Sequence, residues 1–118
     1  PTQVEEFHSL DMKPVSVSCG HSHTAVICYD KRTQTRRVFT FGGGYYGRLG
    51  HDKLDNEYIP KLIEKLECDA MLVACGSAHT CAIVKETAGH KHDTHDVDPA
   101  VCGVLYLWGE GRMVCETK

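Results

Sequence analysis

A repeated segment constrains this chain more than any other feature. Val17-Ser18-Cys19-Gly20-His21-Ser22-His23-Thr24 aligns with Val73-Ala74-Cys75-Gly76-Ser77-Ala78-His79-Thr80, an offset of 75 − 19 = 56 residues. Ala25-Val26-Ile27 then matches Cys81-Ala82-Ile83. Val38-Phe39-Thr40-Phe41-Gly42-Gly43-Gly44 matches Leu105-Tyr106-Leu107-Trp108-Gly109-Glu110-Gly111, now at 109 − 42 = 67. The 11 extra residues (67 − 56) fall in a polar stretch that contains Gly89-His90-Lys91-His92-Asp93-Thr94-His95-Asp96. With no apolar periodicity, this stretch reads as an enlarged loop near 87–102. Pro1 to Phe7 also matches Pro60 to Leu66, so the copies run 1–59 and 60–118.

Each copy reads as strands. Pro14 to Ser18, His23 to Tyr29 and Arg37 to Phe41 are short runs rich in Val, Ile, Thr and aromatics, bounded by Gly, Asp and Lys/Arg clusters. A fourth short strand is expected at the start of each copy, near Gln3-Val4 and Leu62-Ile63. Glu64 to Leu72 has partial helical spacing, but strand and loop fit better after Pro60. Four antiparallel strands per copy make a β-propeller blade. The expected fold is therefore all-β, with about two blades and no closed ring, because a ring needs about 4–8 blades. Two blades alone leave sheet faces uncovered, so further repeats or another subunit are expected to cover them.

Cys-Gly-x-x-His-Thr leads into an apolar strand, and then into Gly-x-Gly-Tyr-Tyr-Gly-Arg-Leu-Gly-His. This order resembles the regulator of chromosome condensation repeat. Residues 17–51 carry the whole pattern; residues 73–111 carry it as far as Trp108-Gly109-Glu110-Gly111. The resemblance implies a propeller, usually seven-bladed, whose members serve as scaffolds or as domains of signalling and ubiquitin-transfer proteins. The second copy departs from the pattern at its end. At the offset of 67, Gly47, Leu49 and Gly50 correspond to Val114, Glu116 and Thr117, so 112–118 is an atypical ending.

The resemblance gives a structural motif: Cys19, Gly20, His23, Thr24, Gly42, Gly44, Gly47, Leu49 and Gly50 in the first copy, and Cys75, Gly76, His79, Thr80, Trp108, Gly109 and Gly111 in the second. Gly20 and Gly76 follow strands, where a reversal needs positive φ or a close backbone approach. His23 and His79 could each be a general base or a ligand. Their recurrence in both copies favours a structural role instead, each ring bonding backbone within its own blade. Cys19 and Cys75 are expected to be small buried hydrophobes.

His90, His92 and His95 form a candidate partner-contact loop, since they sit on an insertion into a repetitive scaffold. Imidazoles with Asp93, Asp96 and Cys102 nearby are plausible metal ligands, but the spacing fits no metal-site template, and no metal or other cofactor is expected. Cys28, Cys68, Cys81, Cys102 and Cys115 form no Cys-x-x-Cys pair. Gly42 to Gly47 lacks the Gly-Lys-Ser/Thr that a phosphate loop requires. Lys31-Arg32 and Arg36-Arg37 flank an expected hairpin turn as ordinary charged turn residues.

Charged residues at 25% and hydrophobic residues at 42% fit a globular chain. A net charge of −3 supplies no basic field, so nucleic acid is not an expected partner of this segment. No apolar run approaches the roughly 18 residues that span a bilayer, and Pro1 to Leu10 do not read as a signal peptide. Seven cysteines, an odd count, suggest free thiols in the cytosol or nucleus.

The expected function is a non-catalytic protein-interaction module, a scaffold or regulatory domain. The alternative is nucleotide exchange on a small GTPase, the activity of the family's founding member, which acts on Ran. Ultraviolet-B sensing, known in plant proteins with similar repeats, needs a tryptophan cluster; this chain has only Trp108.

Overall fold

The computed structural model describes residues 1–66, 69–85, 103–110 and 115–116. It contains two four-stranded antiparallel sheets with strands in sequence order. The first holds β1 (Met12–Cys19), β2 (His23–Asp30), β3 (Thr35–Gly42) and β4 (Glu57–Leu62). The second holds β5 (Asp69–Cys75), β6 (His79–Lys85), β7 (Gly103–Gly109) and the short β8 (Cys115–Glu116). These are the blades of a propeller that is not closed.

Strand position explains composition. β2 lies between β1 and β3, with Ala25, Val26, Ile27 and Cys28 all buried, so it reads as a continuous apolar run. Within the described strands, proline, which cannot donate to a ladder, falls on the edge strands β1 (Pro14) and β4 (Pro60). A bulge between Pro14 and Ser16 recurs between Ala70 and Leu72 in the second sheet. The β2–β3 hairpin turns at Gln34 (φ 61), and Asp30 Oδ1 accepts from the Arg32 amide at 2.9 Å.

Two expectations about the copy starts met different outcomes. Leu62 is a strand residue because it pairs with Phe39. Residues 3–4 pair with no strand and are irregular, and the short helix α1 (Glu6–Ser9) follows them. A strand is defined by its partner, and similar side chains do not supply one. β4 also straddles positions 59 and 60, so the first sheet takes its last strand from both sequence copies. Ile63 to Leu66 is a turn, closed by Leu66 N donating to Ile63 O.

Alternation assigns the faces. Ala25, Ile27 and Val38 of the first sheet meet Ala70, Val73, Ala82 and Val84 of the second in one core, joined by Ile63 and Leu66. Each Val, Ile or Leu side chain, fully buried, contributes about 1.5–3 kcal/mol. The opposite face of the first sheet carries Val26, Cys28 and Phe39, covered in part by Phe7 of α1, whose ring meets Phe39 edge-on at 5.3 Å.

Candidate functional site

The joint between the blades is built around residues 43–56, which connect β3 to β4. Arg48 sits at its centre and is only 5% exposed. Its guanidinium donates to Gly43 O at 3.0 Å and Ser22 Oγ at 2.6 Å in its own blade, and to Ser77 O at 3.0 Å in the next. Its carbonyl oxygen accepts from Thr80 Oγ at 2.8 Å and Trp108 Nε1 at 3.0 Å. One residue thus spans both sheets with side chain and backbone.

His23 completes the joint. Its Nε2 lies 2.8 Å from Thr80 Oγ. The Thr80 hydroxyl has one proton, which it donates to Arg48 O, so it accepts from His23. His23 therefore carries its proton on Nε2. Burial first, and the Arg48 charge second, hold its pKa below the ordinary 6.5, which keeps it neutral. Its Nδ1 is buried with no hydrogen-bond partner among the described residues. Backbone of its own blade was the expected partner of His23; the ring instead reaches the hydroxyl of the neighbouring blade. In each turn the backbone closes on itself: Gly20 N donates to His23 O, and Gly76 N to His79 O.

The glycines have specific reasons. A Cβ on Gly20 would lie 2.3 Å from the His23 ring and 2.4 Å from Gly76 O, so close approach, not positive φ, selects glycine there. Gly50 combines both reasons: its φ is +82, and a Cβ would lie 2.8 Å from Trp108 Nε1. Gly42 and Gly109 end β3 and β7, and Gly44 N donates to Asn56 Oδ1 at 2.9 Å. Gly47 N donates to Gly44 O within the loop.

Leu49 is buried, and its carbonyl accepts from Thr40 Oγ at 2.6 Å. By the same proton count, Thr40 accepts from His51 Nε2 at 3.0 Å. Burial, then Lys61, lower the His51 pKa.

The cysteines divide. Cys75 is half-buried; its amide donates to Ser18 Oγ at 3.0 Å, its thiol lies 3.4 Å from Ser18 O, and burial raises its pKa. Cys19 is exposed, against expectation. Cys75 is covered in part by Ser18 of the first blade, and no such contact to Cys19 is present among the described residues. Burial pushes Cys28 up to about 12.

The joint carries an exposed surface. Tyr45, Tyr46 and Leu54 are 69%, 57% and 66% exposed on the same loop, and Tyr46 holds a φ of 66. Beside them a groove of about 430 Å³ is lined by Tyr46, Leu54, Ile63, Leu66, Tyr106 and Trp108, among others.

The sequence pattern quoted Arg48 without assigning it a role, and Ser22, Thr40 and His51 were not singled out. Their partners lie across the joint, where spacing gives no signal. Gly111 and His90, His92 and His95 lie outside the described residues. Among the described residues, no group of three or more His, Cys, Asp or Glu is arranged to hold a metal, and no helix is long and apolar enough to cross a membrane.

The profile of the "Regulator of chromosome condensation (RCC1) repeat" matches residues 37–83. The chain is 42% identical over 73 residues to the human "Probable E3 ubiquitin-protein ligase HERC3", covering 61% of this chain and 6% of that protein. It is 32% identical over 101 residues to the human "E3 ubiquitin-protein ligase HERC2", covering 85% of this chain and 2% of that protein. The chain therefore spans a small part of the length of these relatives. Its fold resembles the crystal structure of human WBSCR16, with a TM-score of 0.55 and 26% identity, over 64% of this chain and 18% of that one. Repeat profile, relatives and paired antiparallel sheets agree: the chain belongs to the regulator of chromosome condensation repeat family.

Proposed function

We propose that this chain is a non-catalytic protein-interaction module, a recognition or regulatory segment of a larger protein. The observation that carries the reading is the loop of residues 43–56. Arg48 fixes it to both blades, while Tyr45, Tyr46 and Leu54 face solvent beside an apolar groove. Rigid, exposed aromatics next to a concave apolar surface are what a protein anchor site requires. The left-handed Tyr46 backbone is held by its surroundings, a kind of strain that concentrates at binding sites. The relatives' printed names describe ubiquitin-type ligases, and this chain aligns with only 6% of one of them. Its place in such a protein would be to contact a partner while other regions carry out transfer. The odd cysteine count supports a cytosolic or nuclear setting.

Selection of a random peptide library on the immobilised chain tests the site. Selected peptides should place an aromatic or leucine side chain in the groove and lose binding to Leu54→Asp and Tyr46→Ala. Peptides that bind both variants unchanged would overturn the assignment. The same chain should leave release of labelled GDP from Ran unchanged; acceleration would replace this reading with nucleotide exchange.

A further inference from the structure

The groove beside Leu54 has a charge pattern as well as an apolar floor. Its walls come from both blades of this chain: Tyr46 and Leu54 on the 43–56 loop, Tyr106 and Trp108 on β7. Tyr106 and Trp108 pair with Ala82 and Thr80, so all four share the face turned to the first blade. The groove therefore belongs to the joint inside this chain, whichever repeats flank it. Ile63 and Leu66, both buried, form its floor. Its volume of about 430 Å³ lies at the lower end of the range for ligand clefts, about 300–1,000 Å³, and suits one or two anchor side chains.

Three charged residues line the groove: Asp52, Lys53 and Lys65. Lys65 Nζ and Asp52 Oδ2 pair at 2.8 Å and neutralise each other. Lys53 is exposed and has no ion pair or hydrogen bond among the described residues. A second, more polar hollow of about 230 Å³ shares Gly50, Asp52, Lys53 and Lys65 with the groove. It adds Glu64 and Lys61, the latter paired with Glu57 at 3.5 Å. Together the two hollows are lined by three lysines and two carboxylates, a positive excess in a chain whose net charge is −3. A free cation at the mouth of an apolar groove is the complement of a carboxylate beside an apolar anchor.

We infer that the groove takes an acidic peptide: an extended segment with a leucine or aromatic anchor in the groove and an Asp or Glu within two residues of it, facing Lys53. This rests on the groove being the contact site. An extended chain advances about 3.3 Å per residue, so one or two residues carry the carboxylate from the groove to the wall that both hollows share. The anchor supplies most of the affinity. The carboxylate chooses among anchored peptides, because a Lys or Arg in its place meets Lys53 with like charge.

Peptides selected from a random library on the immobilised chain test the inference. They are synthesised with acetylated and amidated ends, so that no terminal charge contributes, and titrated by fluorescence anisotropy. Asp or Glu should be enriched within two positions of the anchor, and affinity should fall as salt is added. Lys53→Glu should weaken these peptides about three- to tenfold, and changing the peptide's carboxylate to Lys should restore binding to that variant. Lys53 is exposed and unbonded among the described residues, so the fold should persist, checked by circular dichroism. Lys31→Glu makes the same change of net charge outside the groove and should leave binding unaltered. Peptides that depend on Leu54 and Tyr46 but show no acidic preference, or that bind Lys53→Glu unchanged, would overturn this inference and leave the groove as the contact site. Peptides indifferent to Leu54→Asp and Tyr46→Ala, or a library that yields no binder, would overturn both.

Discussion

The two blades share a strand order but differ in how they hold a neighbour. In the first, β3 and β4 are separated by residues 43–56, and Arg48 in that loop grips both sheets. In the second, β7 and β8 are separated by residues 110–114 alone. The pairing itself is conserved: Phe39 faces Leu62 in one sheet, and its counterpart Tyr106 faces Glu116 in the other. A blade can therefore form without the clamp. The loop's task is the joint and the surface beside it, not the sheet.

Substitutions can break this contrast in order of expected effect. Arg48→Ala removes three guanidinium hydrogen bonds and leaves the Gly43 and Ser77 carbonyls without that donor. It should cost about 3 kcal/mol or more in urea unfolding, and split one transition into two if the joint couples the blades. A single unchanged transition would show that the apolar core alone joins them.

Thr80→Val should cost about 2 kcal/mol, since it strands the His23 N–H and one lone pair of Arg48 O. The counterpart Thr24 has no side-chain hydrogen bond among the described residues, and Thr24→Val should stay within about 0.5 kcal/mol. Equal costs at the two positions would mean that the hydroxyl acts within the blade and not across the joint. Trp108→Phe, which gives the second blade the residue of the first, should cost about 1 kcal/mol, because Thr80 still serves Arg48 O.

The smallest effect is the pH dependence. His23 and His51 have folded pKa values below the ordinary 6.5, each from burial first. Their contribution to stability is full above 6.5 and is lost as pH falls below it. The urea midpoint should drop between pH 7.5 and 5.5, and less steeply in His51→Gln. A midpoint that rises on acidification would contradict the buried, neutral imidazoles.

Much of this was legible in the residues. Apolar runs between turn clusters marked the strands, and the recurrence of Cys-Gly-x-x-His-Thr marked two equivalent turns. Recurrence also argued for a structural role of His23 and His79 over a catalytic one. It did not reveal the partner of His23, which lies 57 residues away on another sheet. Nor did it distinguish Cys19 from Cys75, which match in sequence and differ in burial.

Sequence by itself determined the local terms. Alternation chose the side of the sheet for each residue, proline kept to edge strands, and glycine was required where a ring or carbonyl comes within 3 Å. These depend on neighbours a few residues away. Tertiary structure decided which equivalent face is covered, which carbonyl Trp108 reaches and why Arg48 is buried. These depend on a second sheet lying against the first, and no local pattern encodes the presence of that neighbour.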